Sequence, residues 1–415
     1  MRRKIAVSDL SVGMYVVEIC GSWISNPFWR SSFLIAEQKS IDQLRASRIR
    51  EVWIDTAHGA DVPLLAAPPV DDESMPTQPA TLFQSLFGGL STDIASRARP
   101  IAEEMARAAR VCAQARVAVT SMFREARMGN TVDAASVSKL VQEIADSIAR
   151  NASALISLAR LKTADDYTYM HSVAVCAMMI ALARQLDLDE DQVRAAGMAG
   201  LLHDMGKAKL PMEVLNKPGK LSEAEFSMVR RHPSLGHRML EANGKIGPMA
   251  LDVCLHHHEK FDGSGYPEGL SGAQISLYAR MGAVCDVYDA ITSNRPYKAG
   301  WDPAESMRQM GQWVGTQFDP RVFQAFARSL GIYPVGSLVR LTSGRIGVVT
   351  EQCAQSLTTP MVKVFYTTRG DRRISPELVD LSQESSEKIA LREDPAHWNF
   401  TDIDELWSGI APPAR

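Results

Sequence analysis

Apolar residues recur every three or four positions across residues 165–332, and proline and glycine fall at the joints between these stretches. That period predicts an all-α domain, built as a helical bundle over residues 155–332. Upstream, Arg97–Met128 is rich in Ala, Arg and Glu and reads as one long helix stopped by Gly129-Asn130. Thr131-Val132-Asp133 then opens a second helix running to Leu161. This helical connector, residues 96–154, suits a bundle or dimerising stalk as well as ordinary packing against the next domain. At the N-terminus the period shortens. Two β-rich pieces, Met14–Ile19 and Glu51–Asp55, flank a helical pattern from Ser40 to Arg48, which predicts a small α+β domain over residues 1–62. Trp23, Phe28, Trp29, Phe33 and Trp53 are expected in its core, because each ring buries a large area. Residues 63–95 begin with Pro63, Pro68, Pro69, Pro76 and Pro79 around Asp71-Asp72-Glu73, the composition of a linker. Beyond Pro334 the pattern becomes strand-like in Ser337–Leu341, Gly347–Thr350 and Met361–Tyr366, a small β appendage over residues 333–381. The remainder, residues 382–415, is a polar tail that Trp398 and Trp407 would anchor in part. The expected fold class is therefore mainly α, a helical bundle with a small N-terminal α+β domain and a short C-terminal β appendage.

Composition narrows the function. A hydrophobic content of 46% and a charged content of 22% are ordinary for a globular protein. The net charge of -3 argues against a nucleic-acid polymer as partner, so an anionic ligand must be held by a local cluster. Six cysteines are scattered without a CxxC pair, which argues against a zinc finger or a disulfide framework and for reduced thiols in the cytoplasm. The N-terminal Met1–Leu10 has basic residues but no apolar run after them, unlike a signal peptide. The longest apolar stretch, Val173–Ala183, is broken by Arg184 and is too short for a membrane segment.

The chemistry concentrates in the helical domain. Three consecutive imidazoles, His256-His257-His258, run into Glu259 and then into Asp262-Gly263-Ser264-Gly265-Tyr266-Pro267. Adjacent histidines suit neither a core stripe nor a solvent face, whereas imidazole is the commonest protein metal ligand. Most of the other histidines lie nearby in sequence: His171 before an apolar helix from Ser172 to Leu186, His203-Asp204 at the end of another, and His232 before Pro233. Asp286 and Asp289 follow on a further apolar stretch. One such residue alone is more often a hydrogen-bonded core group than a ligand. Their concentration is what points to a metal, since bundles build metal sites from inward-facing polar side chains. Imidazole plus carboxylate without thiolate suits Fe, Mn, Zn or Ni. More than four candidate ligands suggests two ions, the arrangement that clamps both oxygens of a displacement at phosphorus. Lys207, one helical turn after His203, together with Arg295 and Lys298 after Asp286, would supply positive charge for a phosphate. Each of these cations could equally be a solvated surface group. Gly263-Ser264-Gly265 lacks the third glycine of a dinucleotide-binding loop, and Gly244-Lys245-Ile246 lacks the hydroxyl of a P-loop.

These motifs resemble the HD-GYP domain. The resemblance rests on Tyr167-Thr168-Tyr169-Met170-His171-Ser172, His203-Asp204-x-Gly206-Lys207, Lys217-Pro218-Gly219-Lys220-Leu221, His232-Pro233, His257-His258-Glu259-x-x-Asp262-Gly263-x-Gly265-Tyr266-Pro267 and Asp286-x-x-Asp289-Ala290. The N-terminal Gly13-Met14-Tyr15-Val16 and Trp23-x-x-x-Pro27-Phe28 look more loosely like the domain of unknown function that often precedes it. The resemblance implies a cyclic di-GMP phosphodiesterase that forms linear pGpG, or continues to GMP, with two or three iron or manganese ions. It implies metal ligands at His171, His203, Asp204, His232, His257, His258 and Asp286, with Asp204 bridging. It further implies phosphate contacts from Lys207, Arg295 and Lys298, an acid near the metals at Asp165, and a substrate-pocket wall at Tyr266 and Pro267. Trinuclear members carry Glu four residues before the first ligand histidine; here that residue is Tyr167, which predicts two metals and pGpG as the main product. Partners consistent with this reading are cyclic di-GMP itself, a second copy of the chain or a GGDEF-type synthase. The competing expectation is a non-hydrolytic cyclic di-GMP sensor or protein-interaction module.

Overall fold

The computed structural model describes residues 2–7, 10–20, 33–35, 37–38, 41–42, 51–56, 59, 101–161, 167–217, 219–293, 300–353, 356–383 and 386–409. The chain divides into two units, Met1–Pro79 and Ala80–Arg415.

In the first unit, β1 (Arg2–Ala6), β2 (Tyr15–Cys20), β3 (Phe33–Leu34) and β4 (Glu51–Asp55) form an antiparallel sheet in the order β1-β4-β2-β3. Val52 and Ile54 alternate with the half-buried Trp53, so one face of β4 joins a core of Ile5, Val7, Leu10, Met14, Val16, Ile35 and Ile41. The expected strands Met14–Ile19 and Glu51–Asp55 are present, within a residue at the ends. β1 was not expected, because its polar Arg2-Arg3-Lys4 hides the alternation. Trp23, Phe28 and Trp29 and most of the expected Ser40–Arg48 helix lie outside the described residues, as does the linker.

The second unit is mainly helical. α1 (Ile101–Met128) ends where expected, at Gly129-Asn130. The expected helix from Asp133 to Leu161 is two helices, α2 (Ala134–Arg150) and α3 (Ala152–Arg160). Asn151 divides them: its backbone is extended, and its side chain caps α3 by accepting the N–H of Ala154. α4 (Tyr167–Gln185) is buried almost throughout from Met170 to Ala183 and runs through the middle of the core, packed against α1, α3 and α5 (Glu190–Leu202). His171 therefore lies inside α4, not ahead of it. The apolar run began later in sequence only because the first turn, Tyr167-Thr168-Tyr169, is amphipathic.

After α5 come a 3-10 turn, Met205–Lys209, and the short helices α6 (Met212–Leu215) and α7 (Glu223–Val229), followed by α8 (His232–Glu241) and α9 (Pro248–His256). α10 (Leu277–Thr292), α11 (Pro303–Gln312) and α12 (Pro320–Leu330) complete the bundle. Lys207 belongs to the 3-10 turn, so it does not share a helix face with His203; α5 has ended at Leu202.

The C-terminal strands β5 (Leu338–Leu341), β6 (Arg345–Cys353), β7 (Ser356–Thr367), β8 (Arg372–Asp380) and β9 (Ile389–Arg392) form one antiparallel sheet in the order β8-β7-β6-β5-β9. β8 and β9 were not expected. β8 is exposed along most of its length and carries Arg372-Arg373, and β9 falls within the supposed tail. Leu338, Ile346, Val348, Phe365 and Trp407, the last from α13 (Ile403–Ser408), join the same core as the helices.

Candidate metal centre

Five elements meet with their polar residues inward. α4 contributes His171, the turn leaving α5 contributes His203 and Asp204, the start of α8 contributes His232, the turn leaving α9 contributes His257 and His258, and α10 contributes Asp286. All are buried except His258, whose side chain is 25% exposed. Three overlapping groups bring their donor atoms within 4.8 Å of one another: His171, His203 and Asp286; His203, Asp204 and His257; His232, His257 and His258.

Asp204 stands between two sets of imidazoles. Its Oδ2 is 3.5 Å from His171 Nε2 and 3.4 Å from His203 Nε2, while its Oδ1 is 3.1 Å from His232 Nε2 and 3.9 Å from His257 Nε2. Asp286 Oδ1 lies 2.9 Å from His171 Nε2 and its Oδ2 lies 3.8 Å from His258 Nδ1.

Hydrogen bonds on the far side of each ring fix which nitrogen faces inward. His203 Nδ1 donates to Gly200 O (2.7 Å), His232 Nδ1 to Val229 O (2.8 Å) and His257 Nδ1 to Val253 O (3.0 Å). A carbonyl can only accept, so each Nδ1 carries a proton and it is Nε2 that each ring turns to the centre. His171 Nδ1 makes the same bond to Asp289 Oδ2 at 2.6 Å. Asp289, three residues after Asp286 and so on the same helix face, thus orients a ring. That spacing was visible in sequence, but the role was not read from it.

The residues fit a cation. His232 Nε2 and His257 Nε2 face each other at 3.2 Å, and with both Nδ1 atoms donating to carbonyls a cation between them would take up the Nε2 lone pairs of the two neutral rings. Among the described residues, buried His203 Nε2 and Asp204 Oδ1 have no hydrogen-bond partner. Ionisation favours the same outcome. Burial would raise the Asp204 carboxyl, but the group is held well below the usual range, first by the charge of Lys207. Burial is likewise outweighed at Asp286, chiefly by the hydrogen bond from His171. Burial, then the neighbouring imidazoles of His258, His203 and His232, keep His257 neutral, and burial above all pushes His258 down to about 3. At His171 burial is overcome by Asp286 and Asp289, which raise it, so a bound cation must displace a proton there.

Lys207 pairs with Asp204 through Nζ and Oδ2, at the mouth of the centre. Gly206 is what allows this turn to reach the ligands: a Cβ there would stand 1.8 Å from His232 O and 2.6 Å from Gly236 N. Tyr266 stacks on His258 with ring centroids 4.8 Å apart, and Pro267 follows it, exposed, through a cis peptide bond. Glu259 holds this turn. Its buried carboxylate accepts the N–H groups of Glu268 (2.7 Å), Gly269 (3.1 Å) and Leu270 (3.1 Å). Gly265 packs so closely that a Cβ would lie 2.4 Å from Lys260 N. His256 bonds Asp252 Oδ1 at 2.7 Å and belongs to none of the three donor groups. Asp165, Arg295 and Lys298 lie outside the described residues, and so does the Tyr167 side chain. No described helix is long and apolar enough to cross a membrane.

Residues 2–137 match a family described as a domain of unknown function (DUF3391), and residues 141–322 match the HD domain. A cyclic di-GMP phosphodiesterase of Pseudomonas aeruginosa is 51% identical over 416 residues, covering 99% of this chain and 97% of that protein. A cyclic di-GMP phosphodiesterase response regulator of Xanthomonas campestris is 45% identical over 148 residues, 35% of this chain and 39% of its own length. A 3'3'-cGAMP-specific phosphodiesterase of Vibrio cholerae is 37% identical over 165 residues, 39% of this chain and 38% of its own length.

Proposed function

The chain belongs to the HD-GYP family, here preceded by a domain of unknown function, and on that premise we infer that it is a metal-dependent phosphodiesterase hydrolysing cyclic di-GMP to pGpG. The observation that carries the reading is the pair of facing Nε2 atoms on His232 and His257, set beside a carboxylate whose two oxygens meet different pairs of imidazoles. This donor set suits two divalent ions, iron or manganese, with His171, His203, Asp204, His232, His257, His258 and Asp286 as ligands and Asp204 shared. Bound there, such ions would polarise the phosphodiester and lower the pKa of an attacking water.

The chain's own groups do the remaining work. Lys207 balances charge on Asp204 and is positioned to meet a phosphate oxygen at the mouth of the centre. Tyr266 and Pro267 wall the substrate side, with Glu259 keeping the turn in place. Arg295, Lys298 and Asp165 keep the roles their motifs suggest: two phosphate contacts, and a carboxylate that takes a proton or orients the nucleophile. Tyr167 fills the sequence position, four before His171, that carries Glu in trinuclear members, so pGpG is the expected end product. A non-hydrolytic sensor would have no use for so many buried, convergent imidazole and carboxylate donors.

The test is anaerobic purification, metal quantification, and hydrolysis of cyclic di-GMP with chromatographic separation of pGpG from GMP. Two ions per chain and accumulation of pGpG are expected, and Asp204→Ala should abolish turnover. Near-wild-type hydrolysis by Asp204→Ala at matched metal content would refute the ligand assignment, and rapid complete conversion to GMP would refute the product.

A further inference from the structure

Arg230 occupies an unusual position. It ends α7, two residues before His232, and is exposed. Its guanidinium carbon lies 4.5 Å from the centroid of the Tyr266 ring, and Tyr266 is itself stacked on His258. Among the described residues, no carboxylate, carbonyl or hydroxyl accepts a hydrogen bond from this guanidinium. An arginine stacked on an aromatic face is held by its π surface, which leaves the five N–H groups at its edge available. The side chain is thus oriented and, among the described residues, unspent, one ring layer outward from a wall of the metal centre.

We propose that Arg230 is the specificity-determining residue of the site, offering its N–H fork to the O6 and N7 acceptors of a guanine base of the substrate. This rests on the cyclic dinucleotide reading above. One ribose separates the phosphorus of a nucleotide from its base, so a group one layer beyond the innermost wall meets the base, and the metal centre with Lys207 meets the phosphate. The fork of arginine matches the two acceptors on that edge of guanine, whereas adenine presents a donor in place of O6. Lysine carries the charge but neither the planar fork nor the stacking surface.

Calorimetric titration of the full chain with GMP and with AMP, monoesters that a phosphodiesterase leaves intact, reads base preference without turnover. Arg230→Gln should weaken GMP roughly tenfold to a hundredfold, the range of a bidentate arginine–guanine pair, while AMP changes less than about twofold on the same scale. Arg230→Lys should fail to restore the GMP preference. Equal weakening of GMP and AMP, no weakening of either, or full rescue by lysine overturns the proposal. Hydrolysis of cyclic di-GMP by the wild-type chain is scored in parallel. Its absence alongside a GMP preference that depends on Arg230 overturns the phosphodiesterase reading and upholds base recognition.

Discussion

Replacing Glu259 with Gln tests whether the Gly-Tyr-Pro turn is held from beneath. The wild-type carboxylate is 2% exposed and accepts three backbone N–H groups, two at Oε1 and one at Oε2. Glutamine retains one acceptor oxygen. Placed toward Glu268 and Gly269, it keeps two bonds and sets its own NH2 against the Leu270 N–H. One buried donor is then unpaired, at about 1–3 kcal/mol. The two remaining bonds lose their charge assistance, which roughly doubles the strength of such bonds. Together these give a destabilisation of about 2–4 kcal/mol. Denaturant midpoints at fixed metal load measure it. Because Tyr266 rides on this turn while His257 is anchored separately to Val253 O, KM for cyclic di-GMP should rise several-fold with bound metal unchanged. Wild-type stability and KM in Glu259→Gln would refute the brace. Loss of metal with unchanged stability would make Glu259 a ligand.

Three further outcomes follow from the same geometry. Gly206→Ala must push the turn off the His232 carbonyl and should cost at least the about 1–3 kcal/mol of overpacking together with metal content; a stable, fully loaded variant would contradict this. Asp289→Ala frees the His171 ring to rotate and should lower metal affinity about tenfold to a hundredfold by chelator competition, and an unchanged affinity would show that Asp289 does not orient the ligand. Asp302, whose side chain is 3% exposed at the start of α11, is raised by burial from 3.8 to about 6 against the N–H of Glu305 and the charge of Arg392. For an acid, a raised folded pKa means the folded state keeps its proton while the unfolded state loses it. Stability therefore falls between about pH 4 and pH 6, by about 3 kcal/mol. Asp302→Asn removes that titration, so its urea stability relative to wild type should climb by that amount across the window, and a flat difference would refute it.

Much of this protein could be read from residue order. The helical period set the bundle, Gly129-Asn130 marked the end of α1, and adjacent imidazoles with flanking His-Asp and Asp-x-x-Asp patterns named the residues that meet. Those signals are legible because burial imposes a local period and because metal-binding residue types are rare on apolar helices. What residue order could not carry was direction and partnership. The Asn151 break, the two added strands of the C-terminal sheet, and the departure of Lys207 from the α5 helix depend on hydrogen bonds or pairings that leave weak local marks. The protonation pattern needed the structure as well: four histidines donate Nδ1 to partners, and that alone sets Nε2 of His232 against Nε2 of His257. Composition offers histidines; only packing from separate helices decides which nitrogen each turns inward, because the deciding acceptors are backbone carbonyls and a carboxylate whose positions the fold sets.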